Sequence, residues 1–563
     1  MHIQFSIPVC FPVRVRQTLA LAGLLSACAL SSVAEPGMPV TRFADLPATI
    51  KDQVAVGTPR KSWEIEDSPF GIHTTVMAEG ADDALMVKLA DLITDAGFKW
   101  TTDYLTIGKV KDMTPAQVGA KFTPLPARCL TYAQLLHRAK VKLLIRLDPL
   151  PWEPWKNETT GPIDPDSEAM QKAEAFVRTT VRQLKPYVRD WQIWNEPNIG
   201  NRKPLVTPKD YVAIVKKLAA VIREEQQDAV IYGPGTAMLQ CLADSPYPWI
   251  PEALKAGLAS QIDVFSFHPY RAPRWKFNLP ENASQFYPWK TWADYSAQIM
   301  DLRRVIRENH GGKDLRLAAT EDGLSTFING AGEEAISLVV AAKYELRRAL
   351  MDFHEGIYPR TQFCLYRKTD DMFYTKEAAY NIVTSDFQKK PQYIASQNLN
   401  AVLDSSFKRD DTTPVSVVVT GPARERFANE ENPGESFLLD RKGERTPAKV
   451  IRHVYRRETA DLEELMVFYW SAEPSEDTHV RYTGRIDVNE PGWSGPLLID
   501  LMAMPARRPK NEIVVLVSSN FVNRSDPVQL DARTTAKGVA IDNLEVRDYP
   551  MVIKWIRPKS KSQ

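Results

Sequence analysis

The sequence predicts a (β/α)8 barrel (a TIM barrel) followed by an all-β, sandwich-like domain. Three observations carry this reading. Between about residues 66 and 405, eight short apolar runs alternate with helical patterns. Several of those runs are continuous rather than alternating, as strands buried on both faces of a parallel sheet must be. After residue 406 the helical patterns stop, and apolar runs joined by turn-rich loops take over. A chain of 563 residues is also too long for one compact domain.

The barrel strands are expected over Ser68–His73, Gly97–Leu105, Val141–Pro149, Asp190–Pro197, Ala229–Gly235, Ile262–Tyr270, Leu315–Gly323 and Gln362–Asp370. Between them, Asp82–Gly97 has apolar residues at helical spacing and ends in a capping glycine. Thr207–Gln227 opens with Thr as N-cap and Pro at the first helical position. Glu333–Leu350 carries basic residues near its end, where the helix dipole favours them. A doubly wound sheet would need a glycine-rich turn after the first strand, and "FGIHTTVMAEG" has none. The second domain is expected to take strands from Val415–Gly421, Glu464–Ala472, Thr478–Val488, Pro496–Met502, Asn511–Val522 and Asn543–Ile556. The resulting division is 1–34 leader, 35–66 lead-in segment that adds a strand to the second domain, 67–405 barrel and 406–563 β-sandwich.

Residues 1–34 read as an export signal. Arg14 and Arg16 precede the apolar run Thr18–Ala34, which ends in small residues. Cleavage after Ala34 and lipidation at Cys28, within "LLSAC", are both open endings. Either makes the protein exported, whether periplasmic, secreted or lipid-anchored. Lys+Arg 71 against Asp+Glu 70 gives no charge bias toward nucleic acid or an anionic membrane. No other segment is long and apolar enough to span a membrane. Cys129, Cys241 and Cys364 are too few and too far apart for a disulfide framework or a zinc site. No metal and no cofactor are expected, and the oligomeric state is open.

A (β/α)8 barrel builds its site at the carboxyl ends of its strands. Here strand 4 ends in Asn195-Glu196-Pro197, strand 6 in His268-Pro269-Tyr270 and strand 7 in Glu321-Asp322-Gly323. Polar groups there are costly unless a site uses them. Two glutamates facing each other across a barrel mouth are what glycoside hydrolysis needs, one as proton donor and one as nucleophile or base. Asp322 is a rival to Glu321. His73, Asp103, Arg146, Asp148, Tyr366 and Arg367 stand at or near other strand ends and are read as lining the site. Trp152 and Trp155, after strand 3, are read as platforms for a flat sugar ring.

The phrases "WNEP", "SFHPY" and "TEDG" on strands 4, 6 and 7 resemble the signature of glycoside hydrolase clan A, the retaining (β/α)8 glycosidases. Family 39 is nearest in wording, with family 5 next. The resemblance covers about residues 66–405. It implies that Glu196 is the acid/base and Glu321 the nucleophile. It further implies that Asn195 binds the sugar 2-hydroxyl and that His268 and Tyr270 are the clan's strand-6 histidine and tyrosine, both at the substrate site, with the tyrosine bonding the nucleophile. The substrate would be an oligo- or polysaccharide, most often β-linked. Two positions depart from the clan: Thr102 stands where many members have an arginine, and Tyr366 where a tryptophan is usual. Two other readings use the same residues, a catalytically inactive carbohydrate-binding barrel and a transglycosylase.

Overall fold

A computed structural model describes residues 38–559, apart from 55–57, 149–163, 200–205, 238, 240–247, 271–278, 282–293, 327–335, 368–379, 422–423, 426–448, 476–479 and 503–526. The leader with Cys28, as well as Trp152, Trp155, Cys241 and the expected strand Asn511–Val522, lies outside the described residues.

Eight parallel strands close into a barrel in chain order. They are β1 (Phe70–His73), β2 (Trp100–Thr106), β3 (Lys142–Asp148), β4 (Asp190–Ile193), β5 (Val230–Ala237), β6 (Val264–His268), β7 (Arg316–Asp322) and β8 (Arg360–Gln362). Closure pairs Phe70, Gly71 and Ile72 with Arg360, Thr361 and Gln362. Gly71 is required at this seam. A Cβ there would lie 2.6 Å from Trp100 Cβ and 2.8 Å from Thr361 Cγ2. Trp100, Leu144, Tyr232, Val264 and Ala318 fill the barrel interior as one buried cluster.

The outer helices include α1 (Asp83–Asp95), α2 (Ala127–Arg138), α3 (Glu168–Leu184), α4 (Pro208–Glu225), α5 (Trp249–Lys255), α6 (Tyr295–Asn309), α7 (Leu338–His354) and α8 (Pro391–Val402). Their starts follow the capping logic. Asp82 accepts from Leu85 N, Thr207 from Asp210 N and Ser337 from Val340 N. The helix expected over Glu333–Leu350 therefore starts later, at the Ser337 cap, and runs on to His354. Among the described residues no helix is long and apolar enough to cross a membrane.

After the barrel come two antiparallel sheets. One runs β10 (Val415–Val419), β14 (Val480–Val488), β18 (Val539–Arg547), β17 (Arg533–Thr534), with β11 (Arg424–Glu425) on β14. The other runs β16 (Val528–Gln529), β15 (Ser494–Asp500), β19 (Met551–Pro558), β13 (Leu462–Ser471), β12 (Val450–Glu458), β9 (Lys408–Arg409). Trp470, Phe468, Trp555, Ile541 and Val546 are buried in this domain. The single strand expected over Asn543–Ile556 is two strands in different sheets, because Asp548-Tyr549-Pro550 turns the chain from β18 to β19. The lead-in residues dock on the same domain. Pro39 bridges Arg533, Val40 N donates to Ala532 O, and Leu46, Ile50 and Val54 pack on Leu462 and Ile556.

Helix α7 is buried along almost its whole length, charged residues included. Lys343 donates to both carboxylate oxygens of Asp548 at 2.9 and 2.8 Å, with both side chains fully buried. Arg347 pairs with Glu281 and donates to Glu473 O, while Trp470 Nε1 donates to Glu281 at 2.7 Å. His354 stacks on His453 with ring centroids 3.9 Å apart. A helix buried all round belongs between two layers, and α7 lies between the barrel and the second domain.

Candidate active site

The site begins with an early stop in β4. The strand ends at Ile193, four residues short of the expected Pro197. Trp194 and Glu196 take left-handed backbone conformations, with φ 73° and 46°. Such residues cost roughly 1–3 kcal/mol each and persist only where the surroundings fix them. Here they are fixed. Trp194 N donates to Leu147 O and Glu196 N to Gly235 O, each at 2.9 Å. Asn198 clamps the turn from beyond, its amide donating to Ala237 O and accepting from Ala237 N. The Glu196 side chain thus stands over His268, whose Nδ1 is 2.8 Å from Glu196 Oε1.

Glu321 reaches the mouth by another device. The inward residues of β7 include Ala318 of the interior cluster, so strict alternation would turn Glu321 outward. A bulge between Ala319 and Asp322, where β7 meets β8, changes that phase. Glu321 faces the mouth. Asp322 turns outward to Arg348 and to Arg360, whose Nη2 is 3.5 Å away. This removes Asp322 as a rival nucleophile.

Both oxygens of Glu321 are held. Tyr270 Oη donates to Oε2 at 3.1 Å, and His268 Nδ1 lies 3.3 Å from the same oxygen. Arg146 Nη1 is 3.4 Å from Oε1, with His73 Nε2 at 3.7 Å. The same Arg146 nitrogen donates to Asn195 Oδ1 at 2.9 Å, while Nη2 donates to Asp148 at 3.2 Å. Burial and the neighbouring Arg146 keep His73 neutral, its pKa lowered to about 3 although Glu321 opposes the shift. Burial lifts the Tyr270 phenol well above its usual value, reinforced by Glu321. Burial also pushes Asp148 up, partly offset by Arg146.

An aromatic collar runs round this side of the mouth. Ring centroids are 6.5 Å apart for His268–Tyr270, 6.1 Å for Tyr270–Tyr380, 5.5 Å for Tyr380–Phe363, 5.0 Å for Phe363–His73 and 6.2 Å for His73–Tyr104. Phe363, Tyr380 and Tyr104 are absent from the sequence reading. Strand 8, expected over Gln362–Asp370, is Arg360–Gln362, so Phe363 rather than Tyr366 follows its end. Tyr366 instead packs on Phe387 at 5.2 Å. Arg367 is near enough for its charge to act on His73.

Asp103 is a second correction. The pleat that turns Thr102 inward to Thr361 turns Asp103 outward, where it accepts from Thr74 Oγ1 at 2.8 Å and from Met77 N. It holds the chain after β1 and does not line the mouth. Glu196, His268 and Glu321 each offer one ligand atom, and these atoms lie within 4.8 Å of one another. That spacing could hold a metal ion, although Arg146 already brings positive charge to Glu321.

No protein-family model matches the chain. No curated protein matches it in sequence. Among solved structures, the fold is similar to that of a family 39 glycoside hydrolase from the gut symbiont Bacteroides cellulosilyticus WH2. The TM-score is 0.55 at 17% identity, over 89% of this chain and 82% of that one. A monomeric beta-xylosidase from Caulobacter crescentus CB15 aligns with TM-score 0.49 at 14% identity, over 88% of this chain and 98% of that one. At 17% identity, what the first of these comparisons shows is the fold.

Proposed function

We propose that the protein is a retaining glycoside hydrolase acting on an oligo- or polysaccharide, with Glu321 as nucleophile and Glu196 as acid/base. The observation that carries this is the spacing of the two glutamates. An oxygen of each lies within 4.8 Å of the other. His268 Nδ1 touches both, at 2.8 and 3.3 Å; so close an approach of single oxygens favours retaining enzymes, whose carboxyl groups stand about 5–5.5 Å apart, over inverting ones, which leave roughly 6.5–9.5 Å for a water. The surroundings support the division of labour. Glu321 receives Tyr270 and Arg146 as donors, as suits a carboxylate that must stay charged to attack. Glu196 is the more exposed of the two, with its side chain 17% accessible against 11%, as suits a group that exchanges protons with solvent.

In the first step a Glu321 oxygen bonds to the anomeric carbon as the glycosidic C–O bond breaks, and Glu196 gives its proton to the leaving oxygen. In the second, Glu196 takes a proton from water, the water oxygen bonds to the anomeric carbon, and the Glu321 ester bond breaks. Asn195 would donate to the sugar 2-hydroxyl, and the aromatic collar would receive the ring faces. The similar fold of a family 39 enzyme and the phrases on strands 4, 6 and 7 agree with this reading.

The test is a 2-fluoro aryl glycoside followed by peptide mass spectrometry. The proposal expects a stoichiometric label on Glu321. An active enzyme labelled elsewhere would overturn the assignment, and a protein that hydrolyses no glycoside would favour a binding barrel. Product analysis with added acceptor sugars separates a hydrolase from a transglycosylase. The proposal also includes export. The mature protein would begin at Glu35 or at a lipidated Cys28, which N-terminal sequencing and mass would decide.

A further inference from the structure

We infer that Arg146 is the positioning residue of this site, setting Glu321 and Asn195 together from strand 3. The inference rests on the glycosidase reading above and adds to it a residue that acts through the other two.

Arg146 is almost fully buried, 8% exposed, at the mouth end of β3. Its nitrogens divide between three partners. Nη1 donates to Asn195 Oδ1 at 2.9 Å and to Glu321 Oε1 at 3.4 Å. Nη2 donates to Asp148 at 3.2 Å. The Tyr104 ring lies under the guanidinium, 4.5 Å from its central carbon. A planar group gripped by a carboxylate on one side and an aromatic face beneath has little freedom to turn. From strand 2, Thr102 spends its hydroxyl on Thr361 at 3.2 Å and offers Glu321 no charge.

Two consequences follow for the chemistry. Because Asn195 Oδ1 accepts from Arg146, the amide cannot flip without losing that bond, and its Nδ2 remains the donor end. Asn195 is thereby oriented to donate to the sugar 2-hydroxyl. Because Arg146 holds Oε1 while Tyr270 holds Oε2, the plane of the Glu321 carboxylate is set from both sides. A lysine at 146 would keep the charge but could not form the fork.

The experiment compares wild type, Arg146→Met and Arg146→Lys in pH profiles of kcat/KM on an aryl glycoside and on its 2-deoxy analogue. Losing hydrogen bonds to a charged group predicts a fall of about 10- to 100-fold for Arg146→Met on the parent substrate. Its acid limb should move to higher pH, since a cation near the nucleophile is gone. The preference for the parent over the 2-deoxy substrate should shrink, since Asn195 is no longer oriented. Arg146→Lys should restore the acid limb but not the preference. If Arg146→Met keeps both the wild-type limb and the wild-type preference, the inference is wrong while the hydrolase reading stands. If wild type turns over no glycoside, both fall together. Should Arg146→Met not fold, with Asp148 left buried and without its cation, the double variant Arg146→Met/Asp148→Asn carries the preference readout, which does not depend on the charge of the pair; a wild-type preference in it would overturn the inference.

Discussion

At the scale of single residues, the site works by committing each polar atom to a defined partner. Tyr270 is the simplest case. Tyr270→Phe removes one donor to Glu321 and little volume, and a hydrogen bond to a charged group is worth about 1.5–3 kcal/mol. The expected outcome is a fall in kcat of roughly 10- to 150-fold with the fold retained and a small drop in melting temperature, read by steady-state kinetics and calorimetry. Asp103 predicts a pH effect on stability. Burial raises its carboxyl from the ordinary 3.8 to about 6 in the folded protein. The folded state therefore holds the proton more tightly than the unfolded chain. That contribution is complete below about pH 3.8 and is lost as pH rises through about 6. The stability of wild type relative to Asp103→Asn should accordingly fall between pH 4 and 6 and stay level above, as measured by urea denaturation. Residues of this kind differ in how well a sequence reveals them. Glu196, His268 and Glu321 could be read because a carboxylate or imidazole closing an apolar run is costly without a use. Phe363 and Tyr380 could not, since an aromatic beside a strand looks like any core residue. Asp103 was misread because its face depends on the phase of the pleat, which a short run does not reveal.

At the scale of elements, the strands were legible as runs and illegible at their ends. β4 stops at Ile193 because its turn enters the left-handed region at Trp194, and nothing in "DWQIWNEP" marks that residue as the corner. β12, Val450–Glu458, went unread because His453 and three arginines interrupt its apolar pattern, and their partners meet them only in the fold: His354 stacks on His453, and Glu463 and Glu464 of β13 pair with Arg456 and Arg457. The bulge in β7 leaves no trace in sequence, yet it decides which of two adjacent acids faces the substrate. The β4 turn gives a prediction of its own. Asn198→Ala removes both bonds to Ala237 and frees the turn that carries Glu196. A stability loss of about 1–3 kcal/mol is expected, together with a drop in kcat larger than for neighbouring surface variants. An Asn198→Ala enzyme with wild-type kcat would show that the turn is held by its other contacts.

At the scale of the molecule, buried charges join the two domains. Asp548→Ala would strand the Lys343 ammonium in a fully buried position, at a cost of about 3–5 kcal/mol. Replacing the pair together, Lys343→Met with Asp548→Leu, should recover most of that loss, as chemical denaturation would show. Nothing in the sequence marks this pairing, because partners separated by 205 positions meet only in the folded chain. The docking of residues 39–54 onto β17, β13 and β19 has a further meaning. In the order of the chain, the barrel is an insertion within the second domain rather than a neighbour placed before it. No single cut can separate the two. Truncation after the last barrel helix would uncover Leu46, Ile50 and Val54 as well as the side of α7 that carries Lys343, Arg347 and His354. A ribosome emitting this chain must release the whole barrel before residues 39–54 find their partners, so their docking waits for synthesis of the far end.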